Sequence, residues 1–420
     1  MQSLLTLRGC FDSPLLNVMN FLNEVVLDYP EAISFAPGRP HESQFRVAEL
    51  PAAMERFVHH LADRRDVSTA TVLGQLGQYQ RTNGIINDLI ARQLGNDEGI
   101  DVTPDDIMVT NGAQEAMLVV LMGAFDPARD VLLCSDPTYI GITAPAAILG
   151  IEVVGVPSGP NGVEPAAVRA AIRDVRDRGL VPRALYDIPD FNNPLGTTMP
   201  VRARVDLIEL AHDAGLLLLE DNPYGMFAYE DARQPTLKSL DATRTVVYIG
   251  SYAKTVLPGL RVGFLVADQP CAPRGRPLAA ELSRVKSVTT VNTSPIAQAA
   301  LAGILLQHDC SLTTYVRPRV AFYRRSRDRL LTRLERELGG TGVTWNRPRG
   351  GFFVTLTLPF DFDEECFRTC AADFGVVVCP MSLFSIGSPR ANQVRLSFSY
   401  VDHAEIDAGI ERLARFVRRR

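Results

Sequence analysis

The chain has 420 residues, 46% of them hydrophobic and 22% charged, with a formal net charge of −5. That length supports a large core and two packed subdomains, and the acidic balance excludes an extended nucleic-acid surface, which the basic end at 418–420 is too short to restore. Seven scattered cysteines form no CxxC pair, and no apolar run reaches the roughly 18 residues of a membrane span or marks a leader, so reduced thiols, no metal site and a cytoplasmic protein are expected.

Residues 1–48 are loosely patterned, with Pro14, Pro30, Pro37 and Pro40 interrupting an amphipathic helical segment at 11–25 and the segment ISFAPGRP. From about 50 to 95 the pattern turns helical. Strand patterns follow at 106–110, 131–135, 152–156, 184–188, 216–220, 245–250 and 262–268, with helical patterns at 113–125, 143–150, 164–179 and 201–215 between them. Such alternation predicts an α/β architecture: a mainly parallel seven-stranded sheet with helices on both faces. The strand at 262–268 follows its predecessor too closely for a crossover helix and should pair antiparallel. Past a polar, proline-rich link at 269–277, long helical stretches lead into a smaller α+β unit. There GGFFVTLTLP, VVVCP and QVRLSFS read as strands around the helix EECFRTCAADFG. The expected division is an N-terminal arm and part of the small domain over 1–48, a large domain over 49–300 and a C-terminal small domain over 301–420.

The polar residues that carry chemistry gather where strands end. After the apolar run Thr245–Ile249 come Ser251, Lys254 and Arg261, at the strand edge where open α/β sheets bind ligands. A lysine flanked by Ala253 and Thr255 is a poor ion-pair candidate. Partly desolvated beside other cations, its amine has a lowered pKa and is a nucleophile able to form a Schiff base; a solvated surface lysine is the plain alternative. Ser251 and Arg261 suit a phosphate. TNGAQEAM opens a helix, so the N–H groups of Gly112, Ala113 and Gln114 make an anion site or an ordinary strand–helix turn. Tyr139, in DPTY, can stack on a flat heteroaromatic ring or pack in the core. Asn193, in FNNPLG, can donate to a phenolate oxygen or shape a turn. Glu220 and Asp221 end a strand buried by its pattern, where a carboxylate needs a partner. A pyridinium N–H would be such a partner for Asp221, with Tyr224 at the same ring's oxygen; a helix N-cap aspartate would leave Lys254 unexplained.

Taken in order, NGAQ, DPTY, FNNPLG, EDNPYG and SYAKTVLPGLRVG make the chain resemble the class I/II aminotransferases, fold-type I pyridoxal-phosphate enzymes, from about residue 30 to 415. The resemblance implies pyridoxal 5′-phosphate held as a Schiff base on Lys254, which also shuttles the substrate's α-proton. It implies Asp221 at the ring nitrogen, Asn193 and Tyr224 at the ring oxygen, and Tyr139 stacked on the ring. Gly112, Ala113, Gln114, Ser251 and Arg261 would surround the phosphate. Tyr79, in GQYQRTNG, matches the tyrosine that reaches the other subunit's cofactor phosphate, so a homodimer with shared active sites is implied. Arg395, in NQVRLSFS, matches the arginine that clamps the substrate α-carboxylate, a task for a planar bidentate fork. Gly38 would lie against the substrate, beside Asn193. Two positions depart from the family pattern: Ala253 stands where serine is usual, and Gly84–Leu89 lacks the arginine that normally follows the leucine.

The implied activity is transamination between an L-amino acid and a 2-oxo acid. The chain resembles the subgroup of 2-aminoadipate and kynurenine aminotransferases, and its segment MNFLNEV…ISFAPGRP is similar to aminotransferases that make 3,5-dihydroxyphenylglycine for peptide antibiotics. Substrate selection in that subgroup falls to Phe21, Phe35, Arg39, Phe45 and Phe384. The phenyl groups favour an aromatic or bulky substrate, and Arg39 suits a second carboxylate or a phenol; interdomain core and a surface ion pair are the plain alternatives. Lyase, decarboxylase or oxidase chemistry on the same cofactor stays open, because these motifs do not separate the reactions.

Overall fold

A computed structural model describes residues 9–13, 15–16, 18, 25, 27–230, 233–387 and 389–420. In chain order the strands are β1 (Ile33–Ser34), β2 (Ile107–Thr110), β3 (Asp130–Asp136), β4 (Glu152–Gly159), β5 (Gly162–Val163), β6 (Val181–Asp187), β7 (Leu217–Asp221) and β8 (Val246–Ser251). They continue with β9 (Gly263–Val266), β10 (Pro270–Cys271), β11 (Arg276–Pro277), β12 (Thr344–Trp345), β13 (Phe353–Thr357), β14 (Val376–Val377), β15 (Cys379–Pro380) and β16 (Gln393–Ser397).

The main sheet has the order β2-β9-β8-β7-β6-β3-β4-β5. The run from β8 to β4 is parallel throughout, and β9 pairs antiparallel with both β8 and β2. All seven expected strands form, and the antiparallel one is where it was expected. The sheet gains an eighth member, β5, a two-residue return from the end of β4. Strands covered on both faces lose the apolar–polar alternation, and β3 is buried at every position. The covering helices keep theirs: the helix Pro165–Asp177 buries Val168, Ile172 and Val175, a single stripe. Another helix, Pro295–Gln307, lies so close to Leu50–Arg65 that a Cβ at Gly303 would fall 1.7 Å from the Ala53 carbonyl oxygen, which only glycine permits.

A second sheet, β12-β13-β16-β15, is antiparallel throughout, and the helices Thr313–Leu338 and His403–Arg419 pack together beside it. The segment VVVCP, expected as one strand, is two: β14 pairs with β1, and after Val378 the chain changes partner so that β15 joins β16. The link at 269–277 holds the short hairpin β10–β11. Most of the helical segment expected at 11–25 lies outside the described residues. Among the described residues no helix is long and apolar enough to cross a membrane, no metal-binding group of His, Cys, Asp or Glu forms, and the cysteines are free thiols. Because β2, β3, β6, β7 and β8 run in one direction, their carboxyl ends and the loops that follow meet along one edge.

Candidate active site

Lys254 sits just past β8, and its amine donates to the Gly38 carbonyl at 2.7 Å. Burial lowers its pKa to about 8; the charges of Arg39, Arg395 and Arg261 act in the same direction, against Asp221. Asp221 closes the neighbouring β7. Its Oδ2 accepts from the Tyr186 hydroxyl at 2.7 Å, while Oδ1 is buried with no hydrogen-bond partner. Burial raises its pKa to about 6, opposed by the Tyr186 hydrogen bond and the Lys254 charge. The Tyr186 phenol is pushed well above its ordinary value by burial and by Asp221, so it stays a donor.

After β6 the chain enters the loop that carries Asn193. The side chain of Arg204, without exposed surface, grips this loop through Asp190 (2.5 and 3.2 Å) and the carbonyls of Met199, Pro189 and Pro235. Asp190→Ala would leave that guanidinium buried without its counter-charge. A loss of about 3–5 kcal/mol is expected, measured as the drop in unfolding free energy in urea. Asn193 Oδ1 accepts from Arg395 Nη1 at 2.7 Å. Tyr224 packs edge-on against Phe352 and Phe353, with centroids at 5.4 and 5.6 Å, and burial raises its phenol pKa.

Arg395, on β16, is 2% exposed and also donates to the Ala36 carbonyl. Its guanidinium carbon lies 4.5 Å from the Phe353 ring centre and 4.6 Å from that of Phe384, and its Nε is buried without a partner. On the opposite wall, β2 leads through Gly112 into the helix Ala113–Ala124. Gly112 has φ of +75°, a conformation that favours glycine, and a Cβ there would fall 2.5 Å from Arg261 Nη2 and push that guanidinium aside. Its own N–H is committed to the Thr110 carbonyl at 2.8 Å, which leaves the first-turn N–H groups of Ala113 and Gln114 as donors. With Arg261 alongside and Ser251 at the end of β8, they form an anion cradle. Tyr139 lines the same cavity within reach of the charges of Asp221, Arg261 and Arg395, its phenol pushed up to about 12, chiefly by burial.

One cavity of about 210 Å³ is lined by Gly38, Arg39, Ala113, Gln114, Tyr139, Asn193, Asp221, Tyr224, Ser251, Lys254, Arg261 and Arg395, with Met117, Ile188 and Phe384 beside them. Gly112 stands just behind that lining. Tyr79, 81% exposed, lies outside it. Of the described phenylalanines expected to face substrate, only Phe384 does. Phe35 is fully buried against Gly409, its backbone tied on both sides to Val377 and Ser397 so that the ring sits in the core. Phe45 is half-buried away from the cavity, and Phe21 lies outside the described residues. A wider groove of about 680 Å³ behind the 191–200 loop contains none of these groups. Tyr186 and Phe353 were missed. Tyr186 sits inside a strand as an apparent core residue, and only the pairing of β6 with β7 brings its hydroxyl to Asp221.

The family described as aminotransferase class I and II matches residues 42–413. The chain belongs to that family. It is 46% identical over 416 residues to the (S)-3,5-dihydroxyphenylglycine transaminase of Amycolatopsis orientalis, covering 99% of this chain and 94% of that one. It is 29% identical to the 2-aminoadipate transaminase of Thermus thermophilus, over 92% of this chain and 90% of that one. The kynurenine aminotransferase of Pyrococcus horikoshii, solved in complex with PMP, superposes with a TM-score of 0.82 at 26% identity, covering 98% of this chain and 95% of that one. The enzyme is thus a pyridoxal 5′-phosphate-dependent aminotransferase of fold type I. The residues present fit that cofactor. The orphan Asp221 Oδ1 calls for a buried donor, which a ring N–H would supply, and the residues of the anion cradle line the same cavity.

Proposed function

We propose that this aminotransferase acts on an arylglycine such as 3,5-dihydroxyphenylglycine, or another L-amino acid with an aromatic side chain, in exchange with a 2-oxo acid. The observation that carries the substrate class is the 46% identity to the dihydroxyphenylglycine transaminase over 99% of the chain. The apolar and aromatic character of Met117, Tyr139, Ile188 and Phe384 around the cavity supports it.

In this reading Arg395 binds the substrate α-carboxylate, its plane fixed by Phe353 and Phe384 and its tilt by Asn193. Pyridoxal phosphate, when bound, supplies the electron sink that acidifies the substrate's Cα–H bond. Lys254 anchors the cofactor and, once displaced, takes the α-proton on Nζ; an amine with pKa near 8 is neutral often enough to do so. Asp221 would hold a proton on the ring nitrogen through charge, while Asn193 and Tyr224 would hydrogen-bond the ring oxygen and Tyr139 would pack on the ring. Ala113, Gln114, Ser251 and Arg261 bind the phosphate, with Gly112 giving the backbone room to approach. Arg39, at the cavity mouth, receives a second carboxylate of the 2-oxo acid or a phenol of the arylglycine, and Gly38 borders the substrate. Tyr79, exposed and outside the lining of its own cavity, serves the site of a second copy in a homodimer. The division at residues 48 and 300 separates the large domain from the lobe that carries Arg395.

The test is single turnover without an acceptor. Loaded enzyme is mixed with one L-amino acid at a time, following absorbance and 2-oxo acid release. Arylglycines and aromatic amino acids should convert the pyridoxal form to the pyridoxamine form with one equivalent of 2-oxo acid. A response confined to aliphatic amino acids would sink the substrate class. Ammonia, carbon dioxide or peroxide in place of a stoichiometric 2-oxo acid would mean a different reaction.

A further inference from the structure

Asp136 lies outside the cavity lining, yet it bonds to the loop that shapes the substrate side. We propose that Asp136 is a positioning residue for substrate binding, latching the 384–387 loop so that Phe384 keeps the Arg395 guanidinium in the plane that meets a carboxylate. This rests on the reading that Arg395 binds the α-carboxylate.

Asp136 is the last residue of β3 and is 7% exposed. Its Oδ1 accepts from the Ile386 N–H and its Oδ2 from the Gly387 N–H, both at 2.9 Å. Two residues on, the Thr138 N–H donates to the Phe384 carbonyl at 2.9 Å. Arg390 Nη2 adds bonds to the carbonyls of Asp136 and Ser158, at 3.4 and 2.9 Å. Residues 136–138 thus grip both ends of the turn after Met381–Phe384, between positions 250 apart in sequence. Two successive backbone N–H groups converging on one side chain call for a carboxylate, since a neutral amide can accept only with its oxygen.

The consequence lies one residue away. Phe384 is 2% exposed, and its ring centre lies 4.6 Å from the Arg395 guanidinium carbon, with that of Phe353 at 4.5 Å. Packed against both rings and bonded to Asn193 and the Ala36 carbonyl, the guanidinium is held from turning, and its donors stay in one plane. Releasing the turn lets Phe384 withdraw, and Arg395 then rotates and hydrates before each binding event. Lys254 and Asp221 have no bond to this loop, so proton transfer is left alone while affinity falls.

Asp136→Ala and Asp136→Asn are compared with wild type as loaded enzymes; the asparagine variant keeps volume and one acceptor and carries the test if alanine unfolds the chain. In Asp136→Ala, KM for the amino acid and the 2-oxo acid should rise about tenfold, as expected from losing charge-assisted hydrogen bonds, with a smaller rise in Asp136→Asn. Turnover at saturation should stay within about threefold and the cofactor absorbance should not move. Hydrogen–deuterium exchange at Ile386 and Gly387 should quicken at least about tenfold. Unchanged exchange there, or unchanged KM, overturns the proposal. So does a fall in kcat with shifted absorbance at constant KM, which would place the effect at Tyr139. If Arg395→Lys leaves KM unchanged, the carboxylate reading fails and the latch's role fails with it; the exchange data tell this apart from a missing latch.

Discussion

Replacing Lys254 with alanine should cut turnover by at least about 10⁴-fold, the combined loss of a covalent anchor and a general base. The expectation follows from where the amine sits. Burial and three nearby cations bring its pKa to about 8. At pH 8 about half of such an amine is neutral, against roughly one part in three hundred for an ordinary lysine. No other described base is placed to take over: Asp221 faces the orphan-acceptor side of the cavity, and the phenols of Tyr139 and Tyr224 are pushed up and stay protonated. Lys254→Arg should fare no better, because a guanidinium neither deprotonates in this range nor forms the covalent link. The measurement is exchange of the substrate's α-proton with deuterated water, together with the single-turnover absorbance change. Exchange within tenfold of wild type in Lys254→Ala would show that another group moves the proton. Cofactor affinity should fall less than turnover, because the Ala113–Gln114–Ser251–Arg261 cradle is untouched.

The strand-end chemistry was legible because each key residue sits in a short motif at the end of a buried strand, and parallel topology brings such ends together whatever the crossover lengths. What could not be read depends on register and side-chain direction. Glu220 and Asp221 are both carboxylates at the end of β7, and strand alternation says only that they face opposite ways. In the structure Glu220 turns from the cavity to accept the Leu237 and Lys238 N–H groups at 2.8 Å, where burial raises its pKa to about 8, and Asp221 keeps the open oxygen. Phe35 shows the same limit: an aromatic beside Gly38 looked like a substrate contact, but its ring points into the core. Tyr186 and Asp136 act across strands or between the two sheets, at separations of 35 and 250 residues, where no local pattern marks them. The change of partner within VVVCP was equally hidden, because an unbroken β-branched run fits either neighbour.

Asp221→Asn should lower kcat on the order of 10²–10³-fold, the scale of removing one preorganised electrostatic contact from a dry site. Tyr186→Phe should produce a smaller and differently shaped defect. In wild type, Tyr186 occupies Oδ2 and leaves Oδ1 as the one oxygen available to the ring nitrogen, so it both orients the carboxylate and favours its charged form. Burial holds Asp221 near pKa 6 against the Tyr186 bond and the Lys254 charge; a protonated ring nitrogen would pull this down further, so the acid limb of kcat lies at or below pH 6. Activity is present above that limb and is lost as pH falls and the carboxyl protonates. Deleting the Tyr186 hydroxyl removes a bond that favours the anion, so the pKa rises and the limb moves to higher pH, by about one unit for a charge-assisted bond of ~1.5 kcal/mol. At pH 8 the variant should run within about threefold of wild type, and at pH 6 the shifted limb should put it up to about fivefold below. The spectral titration of the bound cofactor should shift in step, a second readout independent of turnover. General misplacement of β6 would instead depress kcat equally at every pH, so a parallel-shifted profile with no movement of the limb would remove Tyr186 from this role.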